Sequence, residues 1–199
     1  MSKAARTRER VQEVALALFE EQGYDATTVE QIARAAGVSH MTFFRSFPAK
    51  ESVVLDDPFD PQIAAAVVAQ PASLAPLARV CRGLRAALAE LDLPDQDQVR
   101  RRAAIAAATP SLQAGIWANT AETQRVVAEA LVADGVAALP ARVAAAATIG
   151  ALTVALMGWA LAEGGDCSLA EHLGGALDVL DPPENASLQQ SSTSKGARP

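Results

Sequence analysis

Between Gly37 and Pro48 the chain reads GVSHMTFFRSFP, and five of these side chains suit the edge of a base pair: His40, Met41, Thr42, Arg45 and Ser46. An arginine can donate two hydrogen bonds to O6 and N7 of guanine, a contact that discriminates by about 1–3 kcal/mol. A histidine donates or accepts at a base edge, and Met41 and the Thr42 methyl can touch a thymine methyl. A helix used in this way must bury its other face. Phe43 and Phe47 stand four apart on one face and are expected to pack against Ile32 and Phe19, and the run Phe43, Phe44, Phe47 reads as a buried wedge. Ser39 suits a helix cap better than a contact, and His40 taken alone reads as a surface histidine.

These side chains need elements to hold them. From Thr7 the apolar residues Val11, Val14, Ala15, Leu18 and Phe19 form one face of an amphipathic helix ending near Gly23. Thr27 with Glu30, or Thr28 with Gln31, can form the capping box of a second helix. Val29, Ile32, Ala33 and Ala36 line that helix, and Gly37 closes it in the left-handed conformation. Ser39 caps a third, short helix that Pro48 stops. Two helices joined by Gly37-Val38-Ser39 make a helix-turn-helix unit, and the first helix supplies the third wall of its core.

Further helices are expected over Ala49 to Asp57, Asp60 to Gln70, Ala75 to Leu91, Asp95 to Ala108, and from Pro110 through Ala133. Another runs from Pro140 to Glu163, and a last one reaches Leu180, capped by Ser168 with Glu171 completing the box. The expected fold is all-α, about nine helices in total, with a three-helix head over residues 1–50 and a helical region over 51–180. The polar stretch 181–199, rich in Ser, Pro and Gln, reads as a disordered tail.

Composition supports helices and narrows the chemistry. Half of the 199 residues are hydrophobic but only eight are aromatic, and alanine, the best helix former, supplies much of the rest. The start MSKAARTRER is polar, and Cys81 and Cys167 stand far apart, so free thiols in a reducing cytoplasm are expected. Two histidines and two distant cysteines offer no metal-ligand spacing. No nucleophile–base pair or phosphate loop is present, so no catalytic residue, metal or cofactor is expected. The net charge is −6, yet residues 1–50 carry seven basic and six acidic side chains, which leaves −7 on the remainder. A basic end on an acidic chain permits local binding to DNA.

Residues 7–51 resemble the DNA-binding domain of the TetR family of bacterial transcriptional regulators. The resemblance rests on Ala15, Leu18-Phe19, Gly23-Tyr24, Thr27-Thr28-Val29, Ile32-Ala33, Ala36-Gly37-Val38-Ser39, Thr42-Phe43-Phe44 and Phe47-Pro48-Ala49-Lys50-Glu51. It covers about a quarter of the chain and is far more specific than a generic helix-turn-helix. It implies base contacts by His40, Met41, Thr42 and Ser46, and phosphate contacts near Thr28, at Phe44 and at Lys50. Free N–H groups at a helix start and a lysine ammonium both suit phosphate. The family commonly has tyrosine at the position of Phe44, whose ring lacks the hydroxyl, so Arg45 becomes a second candidate for that phosphate. Lys3, Arg6 and Arg8 form a basic arm for backbone or minor groove.

The resemblance further implies a ligand-binding and dimerisation domain over 51–180, and a homodimer on a palindromic operator paired through helices 140–163 and 168–180. The expected function is a ligand-responsive repressor, with the fourth helix as lever and a small apolar ligand among the middle helices. An activator, or a regulator controlled by a protein partner, shares the same head. Cys81, Trp117, Met157 and Trp159 line a ligand pocket or fill the core, and Cys81 also reads as an inert buried thiol. Arg100-Arg101-Arg102 reads as a solvated face balanced by Asp92, Asp95 and Asp97. Residues 143–162 carry no charge. Their Ala, Gly and Thr content argues against a membrane span and for a helix buried on most sides, part of it against a partner.

Overall fold

The computed structural model describes residues 2–56, 60–90, 95–162 and 168–182. Ten α-helices occur among the described residues, close to the expected number. The expected tail from residue 183 onward, Cys167, Glu163 and Asp92 lie outside the described residues.

The head comprises α1 (Lys3–Gln22), α2 (Val29–Ala35) and α3 (His40–Ser46). The first helix starts a turn earlier than Thr7, because the Ser2 hydroxyl accepts the Ala5 N–H and the intervening residues are good helix formers. Gly23, at φ 88°, ends it. The fourth helix, α4 (Ser52–Leu55), is much shorter than Ala49 to Asp57; turn hydrogen bonds accepted by the carbonyls of Ala49, Lys50 and Glu51 lead into it. Then follow α5 (Asp60–Val68), α6 (Pro76–Glu90), α7 (Gln96–Ala108), a 3-10 turn (Pro110–Leu112), α8 (Gln113–Ala133), α9 (Ala138–Leu161) and α10 (Leu169–Leu180). The expected Ser168–Glu171 capping box opens α10.

These elements form two compact units. The first gathers α1 to α4, α7, the 3-10 turn, the first part of α8 and the end of α9. Its core joins Val11, Leu16, Phe19, Ile32, Phe43 and Phe47 to Val53, Ala106 and Leu112. Residues 1–50 therefore share a core with later helices rather than standing alone.

The arginine run of α7 is not a solvated face. Arg101 bonds Glu13 at 2.7 Å and Glu20 at 2.6 Å on α1, and these hydrogen bonds, Glu20's first, hold its pKa above the usual arginine value. Arg102 donates to the carbonyls of Val54 and Asp56, and Arg100 lies 4.3 Å over the Trp159 ring. An arginine joins a long apolar stem to a fork of donors, so it reaches partners on neighbouring helices that a local charge count does not reveal.

The second unit gathers α5, α6, the rest of α8 and α9, and α10 around Val67, Val80, Leu84, Val127, Leu131 and Leu177. Arg85 ties α6 to the end of α10, 2.7 Å from Asp178 and 3.3 Å from Asp181. Among the described residues α9 is the one helix long and apolar enough to cross a membrane, yet only 33% of its apolar window is buried. The expectation of a helix buried on most sides is thus corrected for the single chain. Ala141, Ala144, Ala145, Thr148 and Ile149 turn inward, whereas Leu139 and Val154 are each 71% exposed.

Among the described glycines the closest approach to another backbone falls on α6, where a Cβ on Gly83 would lie 2.5 Å from the Val67 Cα. At Gly115 the nearest atom is the Leu55 Cδ1 at 2.4 Å, a side-chain tip that can rotate away. Alanine gains up to about 1 kcal/mol over glycine inside a helix, whereas forcing packed elements apart costs about 1–3 kcal/mol. Gly83→Ala is therefore expected to lower the melting temperature and Gly115→Ala to leave it unchanged or raise it. Equal melting of the two variants would contradict the tight contact between α5 and α6.

Candidate nucleic-acid interface

Local chemistry sets the turn between α2 and α3. Thr28, not Thr27, makes the capping box: its hydroxyl accepts the Gln31 N–H at 3.2 Å, and the Gln31 side chain accepts the Thr28 N–H at 2.7 Å. Thr27 is buried and donates to the Gly23 carbonyl at 2.8 Å. Gly37 takes φ 63°, and Val38 N–H returns to the Ala33 carbonyl at 2.9 Å, closing α2. The Ser39 hydroxyl then caps α3 by accepting the Thr42 N–H, and it shares a further hydrogen bond with the Thr42 hydroxyl at 2.9 Å.

On α3 the back is apolar and sealed: Phe43 and Phe47 are both fully buried. Phe44 leaves the expected wedge. It is 38% exposed and lies edge-on to His40 and Phe43, because the core face admits positions four apart and not their neighbour. Met41 is 76% exposed and Arg45 lies in the open beside it, with no ion-pair partner among the described residues. Thr42 and Ser46 are half-buried, and Ser46 donates back to the Thr42 carbonyl. His40 sits 3.4 Å from Glu30. The Glu30 carboxyl is held below its usual range by its own N–H, by the Thr28 hydroxyl and by His40. All five residues expected at base edges thus share one short helix, and two of them are unobstructed.

The expected phosphate-binding residues divide. Lys3 and Arg6 are exposed in the opening turns of α1, so the basic arm is helical. Arg8 does not belong to that arm. It donates to the Ser46 carbonyl, pairs with Asp56 at 2.8 Å and lies 4.0 Å over the Phe47 ring, fastening the end of α3 to α1 and α4. The sequence carries a faint signal for this, since Arg8 lies a helical turn from the apolar Val11. Lys50 donates to the carbonyls of Tyr24 and Thr27 at 2.9 and 3.0 Å and covers the Tyr24 ring, which leaves one of its three N–H groups uncommitted. Burial lowers its pKa, with Asp25 opposing. Gln12 was no candidate, yet it is buried and bonds the Val53 carbonyl at 2.9 Å, joining α1 to α4.

The residues expected around a ligand divide between the two units. Cys81 is buried in the core of the second unit, where burial pushes its thiol pKa up, away from reactivity. Trp117, Met157 and Trp159 belong to the first unit. Trp117 is 64% exposed, pointing away from the face on which its neighbour Ile116 packs, while Trp159 is buried beneath Arg100.

A family profile described as "Bacterial regulatory proteins, tetR family" matches residues 12–56, and one described as "MftR C-terminal domain" matches residues 74–185. The HTH-type transcriptional regulator TcmR of Streptomyces glaucescens is 44% identical over 88 residues, 43% of this chain and 39% of that protein. The match thus spans less than half of TcmR. Among solved structures, Thermus thermophilus FadR, a repressor in complex with lauroyl-CoA, is 26% identical with a TM-score of 0.45, covering 87% of this chain and 92% of that one. AibR, in complex with isovaleryl coenzyme A and operator DNA, is 17% identical with a TM-score of 0.49, covering 89% and 99%.

Tyr24 offers a pH handle on the interface. Burial first, then Glu51 and Asp25, raise its pKa from 10.0 to about 12. Between these values the unfolded chain releases the phenolic proton and the folded chain keeps it, so the stability contribution is intact below pH 10 and is lost as pH rises toward 12. The lowered Lys50 pKa acts with the opposite sign, because the folded state releases that proton first. Denaturant titrations above pH 10 are expected to show Tyr24→Phe losing less stability with pH than wild type; parallel curves would refute the assignment.

Proposed function

The chain belongs to the TetR family of bacterial regulatory proteins and is a DNA-binding transcriptional regulator, and we propose from this that it is a repressor which binds a palindromic operator as a homodimer and releases it on binding a small ligand. The observation that carries the DNA-reading part is the exposure of Met41 and Arg45 on a helix whose opposite side is locked by Phe43 and Phe47. In this reading His40, Met41, Thr42, Arg45 and Ser46 meet base edges in the major groove. Thr28 at the start of α2, the free N–H of Lys50, the ring of Phe44, and Lys3 and Arg6 meet the sugar-phosphate backbone. Arg8 holds α3 in position from within the protein. The regulator acts in the cytoplasm, on the cell's own DNA.

The homodimer is supported by the apolar surface that α9 and α10 leave uncovered. Leu139, Val143 and Val154 on α9 and Val179 on α10 are 58–82% exposed, which is costly for large side chains that stay in water. Alanine and glycine among them, including Ala146, Ala147 and Gly150, permit close approach of a partner helix. The ligand acts by binding more tightly to the dimer whose heads misfit the operator, since only a difference in affinity between the two states can move the equilibrium.

Selection of bound duplexes from a random pool at near-physiological salt is expected to return a two-fold symmetric motif. Arg45→Ala should weaken one position of each half-site by about 1–3 kcal/mol if Arg45 reads a guanine. Uniform weakening with a shallower salt slope would assign Arg45 to a phosphate. Recovery of nothing but sequence-independent, salt-sensitive binding would defeat the operator reading.

Val154→Asp tests the dimer, because Val154 lies outside the core of its own chain. Sedimentation is expected to show a folded monomer that has lost the symmetric site. A variant that keeps the dimer's mass would remove α9 from the interface.

A further inference from the structure

We propose that Arg79 receives the acidic head of the ligand, so that the molecule this regulator senses has an apolar body and one oxyanion, a carboxylate or a phosphate. The inference rests on the ligand-responsive reading above and names the chemical class of the effector. Arg79 opens the second turn of α6 and is 1% exposed. Its Nη2 donates to the Val68 carbonyl at 2.8 Å and to Asp134 at 2.5 Å, which joins the last residue of α5 to the residue just past α8. Stapling two helix ends in this way occupies Nη2 alone. Nε and Nη1 are buried and neither has a hydrogen-bond partner among the described residues.

A guanidinium keeps its charge at any pH a protein survives, so burial cannot be relieved by losing a proton. Buried donors almost always find acceptors. The unit that encloses Arg79 has an apolar core, Val67, Val80, Leu84, Val127 and Leu131 among it. Asp134 is 39% exposed at its side chain and meets one nitrogen of the three. A ligand oxyanion supplies the missing acceptors and further neutralises the charge, while its apolar body matches the surrounding side chains. An alcohol of equal length supplies neither the charge nor enough lone pairs. The i, i+4 line from Arg79 to Gly83 faces α5, so a head group at Arg79 lies beside the close α5–α6 contact.

The test uses full-length protein and three eight-carbon probes: octanoate, octyl phosphate and 1-octanol. Calorimetric titration and thermal melting are expected to show binding by one or both anions and weaker or no binding by octanol. Arg79→Met should weaken the anion by about tenfold or more, as expected for a hydrogen bond to a charged group. If that variant fails to fold, Asp134→Asn decides, because removing the competing carboxylate should tighten anion binding several-fold, and unchanged or weaker binding overturns the proposal. Equal binding of octanoate and octanol, or no binding by any probe, also overturns it. A separate operator-release assay distinguishes the two readings. Arg79-dependent binding of the anion without DNA release leaves this inference standing and defeats ligand-responsive repression. A compound that releases DNA equally from wild type and Arg79→Met does the reverse.

Discussion

Burial of Phe43 and Phe47 against α1 and α2 determines which side of α3 faces outward, and most of the head follows from it. Each phenylalanine gains about 1.5–3 kcal/mol on full burial, more than the roughly 1 kcal/mol from the Ser39 cap. Rotating α3 by one residue would merely exchange Phe43 for Phe44, but it would turn Phe47 outward and put Pro48 in its place, forfeiting that gain. The outward positions of Met41 and Arg45 are therefore a consequence of the core. Arg8 reinforces the orientation from the far end of α3 by bonding the Ser46 carbonyl and covering the Phe47 ring.

The charged groups extend that core rather than decorate it. Asp56 receives Arg8 through its carboxylate and Arg102 through its carbonyl, so the short α4 is clasped between α1 and α7. Arg101 adds two glutamates of α1. Single exposed ion pairs contribute little, but these share residues, involve backbone carbonyls and lie partly out of water. They make α7 part of the DNA-binding unit, and any displacement of α7 reaches α1 and α4 directly.

The second unit shows a different balance. Its helices pack through small residues, with Gly83 admitting the α5 backbone and alanines lining the inner side of α9. Larger apolar side chains such as Leu84, Leu131 and Leu177 fill its centre, yet Leu139, Val143, Val154 and Val179 remain on the outside. The same unit encloses Arg79, whose charge the neighbouring side chains meet only in part. The unit thus carries both an uncovered apolar surface and a buried cation whose Nε and Nη1 have no partner among the described residues.

Most helices, their caps and the division of α3 into a buried and an exposed side were legible in the sequence because each depends on residues within a turn or two of one another. The Ser168–Glu171 box, the Gly37 closure and the Phe43–Phe47 spacing are local codes with one sensible outcome. Choices between near-equal local options were not legible: Thr27 and Thr28 offer the same capping chemistry, and the demand for a buried hydroxyl near Gly23 separates them. Nor were the fates of Arg8, Arg79 and Arg100 to Arg102. Arg101 meets Glu20 across 81 positions of chain, and Arg79 meets Asp134 across 55. A long flexible side chain takes its partner from whichever element the fold brings within reach. The sequence by itself determined the all-α class and the recognition helix; only the tertiary structure decided which charges turn inward, because that depends on contacts no local pattern encodes.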